Sequence, residues 1–104
     1  MIKLSLNGEE LALTFRHNRY KAPTNLGPNN RPITAVTFAW IYGLDGGGRM
    51  NRKDNRAAGI AFCSILDNFC KETGRRIALS KAVSRWPREG RKSVFGQYDS
   101  RRRG

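Results

Sequence analysis

The residues best suited to chemistry on a partner are cations. Lys71, Arg75, Lys81 and Arg85 recur at intervals that place them on one arc of a helix, and Arg88, Arg91, Lys92 and Arg101 to Arg103 carry the positive charge on to the C-terminus. Phosphate oxygens accept hydrogen bonds from Lys and Arg, and displacing counterions from a polyanion adds a salt-dependent gain. A second group, Arg49, Arg52 and Lys53, follows Gly46, Gly47 and Gly48, whose backbone N–H groups could face a phosphate. This is not a nucleotide-binding phosphate loop, because no Gly-Lys-Ser/Thr closes it at the required spacing. Arginine suits protein carboxylates as well as phosphate, so an acidic protein surface is the alternative partner.

Other reactive side chains form no recognisable set. His17 is the only histidine, Asp45, Asp54 and Asp67 are dispersed, and Cys63 and Cys70 do not have the spacing of a structural zinc module. The reading is therefore non-enzymatic, with no cofactor or metal and no catalytic residues assigned. Phe38, Trp40 and Tyr42 alternate regularly, which core packing explains first; a base-stacking platform on an exposed sheet is the alternative.

The chain has 104 residues and a net charge of +12, unevenly spread. Residues 75–104 hold ten Lys/Arg against two acids, a balance of +8. Such a field draws phosphate polyanions and hastens encounter. A hydrophobic content of 38%, with five Phe, two Trp and three Tyr, argues against wholesale disorder. Two cysteines are too few for a disulfide scaffold, and neither a signal-peptide pattern nor a membrane-length apolar run is present; a cytoplasmic protein is expected.

The elements that must position these residues follow from periodicity. Ile2, Leu4 and Leu6 alternate with polar residues, Asn7-Gly8 suits a type I′ turn, and Leu11, Leu13 and Phe15 alternate again, which predicts a hairpin with Leu4 opposite Leu11 and Ile2 opposite Leu13. Residues 16–32 read as a surface connection, rich in Pro and Asn. "ITAVTFAWIYG" reads as a strand, "LDGGGRMNRKDN" as a mobile loop and "RAAGIAFC" as the antiparallel partner strand. A helix is predicted over 68–86, with Phe69, Cys70, Ile77, Leu79, Val83 and Trp86 inward and Lys71, Arg75, Ala78, Lys81 and Arg85 outward. Gly74 and Arg76 fit that helix poorly. Pro87 either ends it or starts a second helix faced by Val94, Phe95 and Tyr98. A helix-turn-helix, with residues 59–70 as its first helix and 77–86 as its recognition helix, is the competing arrangement.

The stretch "GIAFCSILDNFCKETGRRIALSKAVSRWPREGRKSVFGQY" resembles the C-terminal half of small uncharacterised bacteriophage or mobile-element accessory proteins, through Gly59, Ala61, Cys63, Asp67, Phe69, Gly74, Arg75, Arg76, Ala78, Leu79, Lys81 and Ala82. The resemblance implies a strand-then-helix division and an accessory role. It brings across no catalytic residue, ligand or mechanism. The expected architecture is α+β: a small antiparallel sheet of about four strands covered by one or two C-terminal helices, in a single domain over 1–98 followed by a basic disordered tail, 99–104. The expected function is binding of DNA or RNA along the phosphate backbone; the alternative is an accessory protein that modulates an acidic host protein.

Overall fold

A computed structural model describes residues 1–24, 33–64 and 70–103. Four strands, β1 (Ile2–Leu6), β2 (Glu9–Thr24), β3 (Ile33–Leu44) and β4 (Met50–Ser64), form one antiparallel sheet in the order β1-β2-β3-β4. Two helices follow, α1 (Lys71–Ala82) and α2 (Arg88–Arg103). The expected α+β class, a four-stranded antiparallel sheet followed by helices, is the observed one.

The first hairpin has the predicted register, Ile2 opposite Leu13 and Leu4 opposite Leu11. Asn7 and Gly8 both take positive φ, 52° and 79°, as a type I′ turn requires. Strand β2 then runs well past the expected break at Arg16, pairing from Leu11 opposite Gly43 to Arg19 opposite Ala35, with an irregularity before Thr24. Long-range pairing with β3 supplies backbone partners that the local composition of 16–24 did not suggest. Residues 25–32, the remainder of the expected connection, lie outside the described residues.

The glycine loop is a pinned turn. One Asp45 carboxylate oxygen accepts from Gly47 N at 2.8 Å and from Arg49 N at 3.0 Å, Asp45 N donates to Arg49 O, and Gly48 takes φ 77°. Gly48 N donates to Asp45 O at 3.0 Å, so the amides of Gly47 and Gly48, two of the three expected to face a phosphate, are satisfied within the turn itself.

Residues 59–64 belong to β4, which excludes the first helix of a helix-turn-helix; residues 65–69, including Asp67 and Phe69, lie outside the described residues. Helix α1 is continuous through Gly74 and stops at Ala82, not Trp86, because Val83 to Trp86 fold into a turn before Pro87. The second helix foreseen as one option after Pro87 is present. It runs through Arg103, so the segment expected as a disordered tail from Asp99 is, to that point, the end of α2.

Both helices pack on one sheet face. Leu79 and Val83 of α1 and Val94 and Tyr98 of α2 are buried with Leu4, Leu11, Leu13, Ile41 and Ala57. Helix α1 approaches β3 and β4 closely because the contact is built from Ala39, Ala61 and Ala78 and from two glycines. A Cβ on Gly59 would strike the backbone of Ala78 and Ala82, and one on Gly74 would strike the Thr37 side chain. Gly74 is therefore a docking position rather than a break. The buried arc of α1 is accordingly rotated from the predicted one: Ala78 is buried and Ile77 is 42% exposed.

Candidate nucleic-acid interface

The sheet's second face is fixed by the same pairing that builds the first. In β3, Ile33, Ala35, Thr37, Ala39 and Ile41 face the helices and are buried, so Val36, Phe38, Trp40 and Tyr42 project from the opposite side. Cross-strand partners share a face. Trp40 stands between Thr14 of β2 and Ala58 of β4, Phe38 between Arg16 and Ile60, and Val36 between Asn18 and Phe62. Lys3 and Ala12 continue the face toward β1. Among the described residues, neither helix packs against it. The expectation that Phe38, Trp40 and Tyr42 form core against the helices is overturned: the small residues of β3 occupy the covered face, where the close helix leaves no room for rings.

Phe38 and Trp40 are half-buried by one another, with parallel rings, an interplanar angle of 2° and centroids 5.2 Å apart. The direct partners of Trp40 on the neighbouring strands, Thr14 and Ala58, both carry short side chains. Ile60, 38% exposed, adds apolar surface beside the ring pair, whereas Val36, 3% exposed, is buried and adds none.

The ten cations expected to form the site separate into distinct places. Lys71 and Arg75 lie at the N-terminal end of α1, close enough to His17 of β2 for their charges to disfavour its protonation. Arg75 is half-buried, 3.8 Å from Glu72, and lines a shallow groove with Phe15, His17 and Tyr98. Lys81 sits at the β4 edge with its Nζ 5.6 Å from the centre of the Phe62 ring, which brings a helical cation to the rim of the aromatic face. Arg85 lies in the turn after α1, and Arg88, Arg91 and Lys92 are exposed on α2. Arg49, Arg52 and Lys53 are exposed at the β3–β4 hairpin end. The single continuous stripe foreseen from helical spacing is not formed, because Ala78 on that arc is buried against the sheet.

Two other arginines are committed to the fold. Arg56 donates to both Glu9 carboxylate oxygens, at 2.8 and 2.7 Å, and to Asp54, reaching across Gly43, where a side chain would collide with Asp54. Those bonds hold the Glu9 and Asp54 carboxyls below their ordinary range. Arg76, awkward in the sequence, bonds Asp99 of α2 at 2.6 Å and lies 5.8 Å from the Phe95 ring centre.

Sequence reasoning did not name Lys3, Arg16, Ile60 or Phe62 as part of a site. The signal was present in parity: once Leu11 and Leu13 define the buried side of β2, antiparallel pairing assigns Arg16, Phe38 and Ile60 to the other side. Cys63 and Cys70 are not joined in a disulfide, and no group of three or more His, Cys, Asp or Glu suited to a metal occurs among the described residues. No helix among the described residues is long and apolar enough to cross a membrane. No protein-family model, curated protein or solved structure matches the chain.

Proposed function

We propose that the protein binds nucleic acid along its phosphate backbone and performs no catalysis on it. The observation that carries this reading is the state of its cations. Lys71, Lys81, Arg85, Arg88, Arg91, Lys92, Arg49, Arg52 and Lys53 are all exposed, and among the described residues none has a carboxylate within 4.0 Å. The fold uses Arg56, Arg76 and, at longer range, Arg75 for its ion pairs and leaves these nine available. Exposed cations of one sign repel one another, and a polyanion neutralises them. A cytoplasmic setting, where phosphate polyanions are abundant, fits this reading.

Titration of the purified protein with unrelated duplex DNA and RNA across a salt series tests it. Saturable binding with little sequence preference is expected, falling on the order of a thousandfold between about 50 and 200 mM salt if about six phosphates are engaged. Reversing Lys81, Arg85 and Arg91 together should weaken binding and flatten the salt slope. Arg75 is omitted from that set because it is half-buried beside Glu72, and its reversal would disturb packing. Absence of saturable binding at low salt would contradict the proposal and favour an acidic host protein, the accessory role that the phage-protein resemblance implies.

A further inference from the structure

We infer that the helix-free sheet face is a platform for unpaired bases, so that the preferred ligand is a single strand; this rests on the nucleic-acid reading above and assigns that ligand a surface. The phosphate-binding cations alone would accept a duplex equally well. The sheet face adds a feature a duplex cannot use, since its bases are already stacked and paired.

Three observations converge on it. Phe38 and Trp40 form a parallel ring pair whose outer surfaces can continue the stack, and stacking accepts any base because every base has a π-face. Short neighbours, Thr14 and Ala58, flank Trp40 and leave lateral room for a planar group. Cations border the rings: Arg16 is the cross-strand neighbour of Phe38, Lys3 lies on the same face, and Lys81 sits over Phe62 at the rim. A strand laid across the face would stack bases on the rings and meet Lys or Arg with its backbone.

Charge separates this occupant from a second copy of the chain. Two such faces brought together would oppose Lys3 and Arg16 with Lys3 and Arg16, with Glu10 the acid that the pairing places on the face among the described residues, and would join two bodies each of net charge +12. A nucleic-acid strand reverses the sign of that interaction.

The test compares oligothymidine and oligouridine of about 15 nucleotides with a blunt duplex of equal length, enough to span one small-domain site. Binding is measured for the wild type, Phe38→Ala, Trp40→Ala and Trp40→Tyr. The single strands should bind more tightly than the duplex, and the two strands together show whether the ribose hydroxyl matters. Each alanine variant should lose about fivefold to a hundredfold in single-strand affinity at an unchanged salt slope, and Trp40→Tyr should retain most of it. In a Trp86→Phe chain, Trp40 emission should be quenched by oligothymidine, a readout that leaves the ring in place; thermal melts of the alanine variants confirm folding.

Alanine variants that melt normally and bind like the wild type, or a duplex bound as tightly as the strands, would overturn the platform while leaving backbone binding intact. No binding of any probe at low salt would remove both. A wild-type dimer in sedimentation that Trp40→Ala dissociates and oligothymidine does not disrupt would assign the face to a second copy instead.

Discussion

At Gly59 a single hydrogen in place of a methyl group decides how the helical layer sits. A Cβ there meets backbone atoms of Ala78 and Ala82, which cannot swing aside as a side chain end can. Gly59→Ala should therefore lower stability by about 1–3 kcal/mol in denaturant unfolding, the usual cost of overpacking. Gly74 gives a sharper test of sign. In an exposed helix Ala is favoured over Gly by about 1 kcal/mol, yet here the added methyl collides with Thr37, so Gly74→Ala should destabilise, and Thr37→Ala in the same chain should recover part of that loss. His17 supplies a pH signature. Its Nδ1 lies 2.8 Å from Thr37 Oγ1, and burial, then the charges of Arg75 and Lys71, hold its pKa below the ordinary 6.5. Above pH 6.5 neither folded nor unfolded chain binds the proton; below it the unfolded chain binds more, so stability should fall from pH 6.5 toward the folded pKa and then level. His17→Gln should flatten that decline, which sets in near the ordinary 6.5 and so above the range in which Glu9 and Asp54 titrate. Gly74 and Arg76 were legible as misfits to an amphipathic cover helix. Their partners, Thr37 and Asp99, were not, because each lies more than twenty residues away and meets its misfit only through tertiary packing.

Between elements, the contact of α1 with α2 depends on polar groups at the edge of a small core. Arg76 bonds Asp99, and Tyr98 Oη donates to Glu72 at 2.9 Å, while Gln97 donates to Ser5 O and accepts from Ser5 N, closing the outer edge of β1. Arg76→Ala should raise amide exchange in the C-terminal turns of α2 while leaving the β2–β3–β4 ladder protected, a local effect that hydrogen exchange resolves. The first hairpin was readable in full because its turn residues and its alternation specify the same register. In β3 the alternation was equally clear, but alternation defines two faces without saying which one a helix covers. The answer lay in residue size: Ala35, Thr37 and Ala39 with Gly59 form a surface that α1 can approach closely, whereas Phe38, Trp40 and Tyr42 would hold it away. Extension of β2 beyond Arg16 depended on a partner strand and was not visible in the local composition of a Pro- and Asn-rich stretch.

Over the whole molecule, charge and shape divide the work. The helices bury one face of the sheet, Arg56 ties β4 to β2 and Arg76 ties α1 to α2, and the remaining exposed cations surround a body whose other sheet face carries a stacked Phe-Trp pair. The C-terminal concentration of charge was plain in the sequence, but its dispersal over α1, the following turn and α2 required the fold. Backbone attraction without the aromatic face would give a ligand-tolerant protein; the platform proposed on that face would make it prefer a single strand. Amide and indole chemical shifts followed during addition of oligothymidine test this most directly, since they locate the ligand without altering the protein. Shifts concentrated at Arg16, Phe38, Ile60 and the Trp40 indole N–H, with smaller changes at Lys81, are expected; shifts confined to Arg88, Arg91 and Lys92 of α2, with the Trp40 indole unmoved, would contradict single-strand binding on the sheet face.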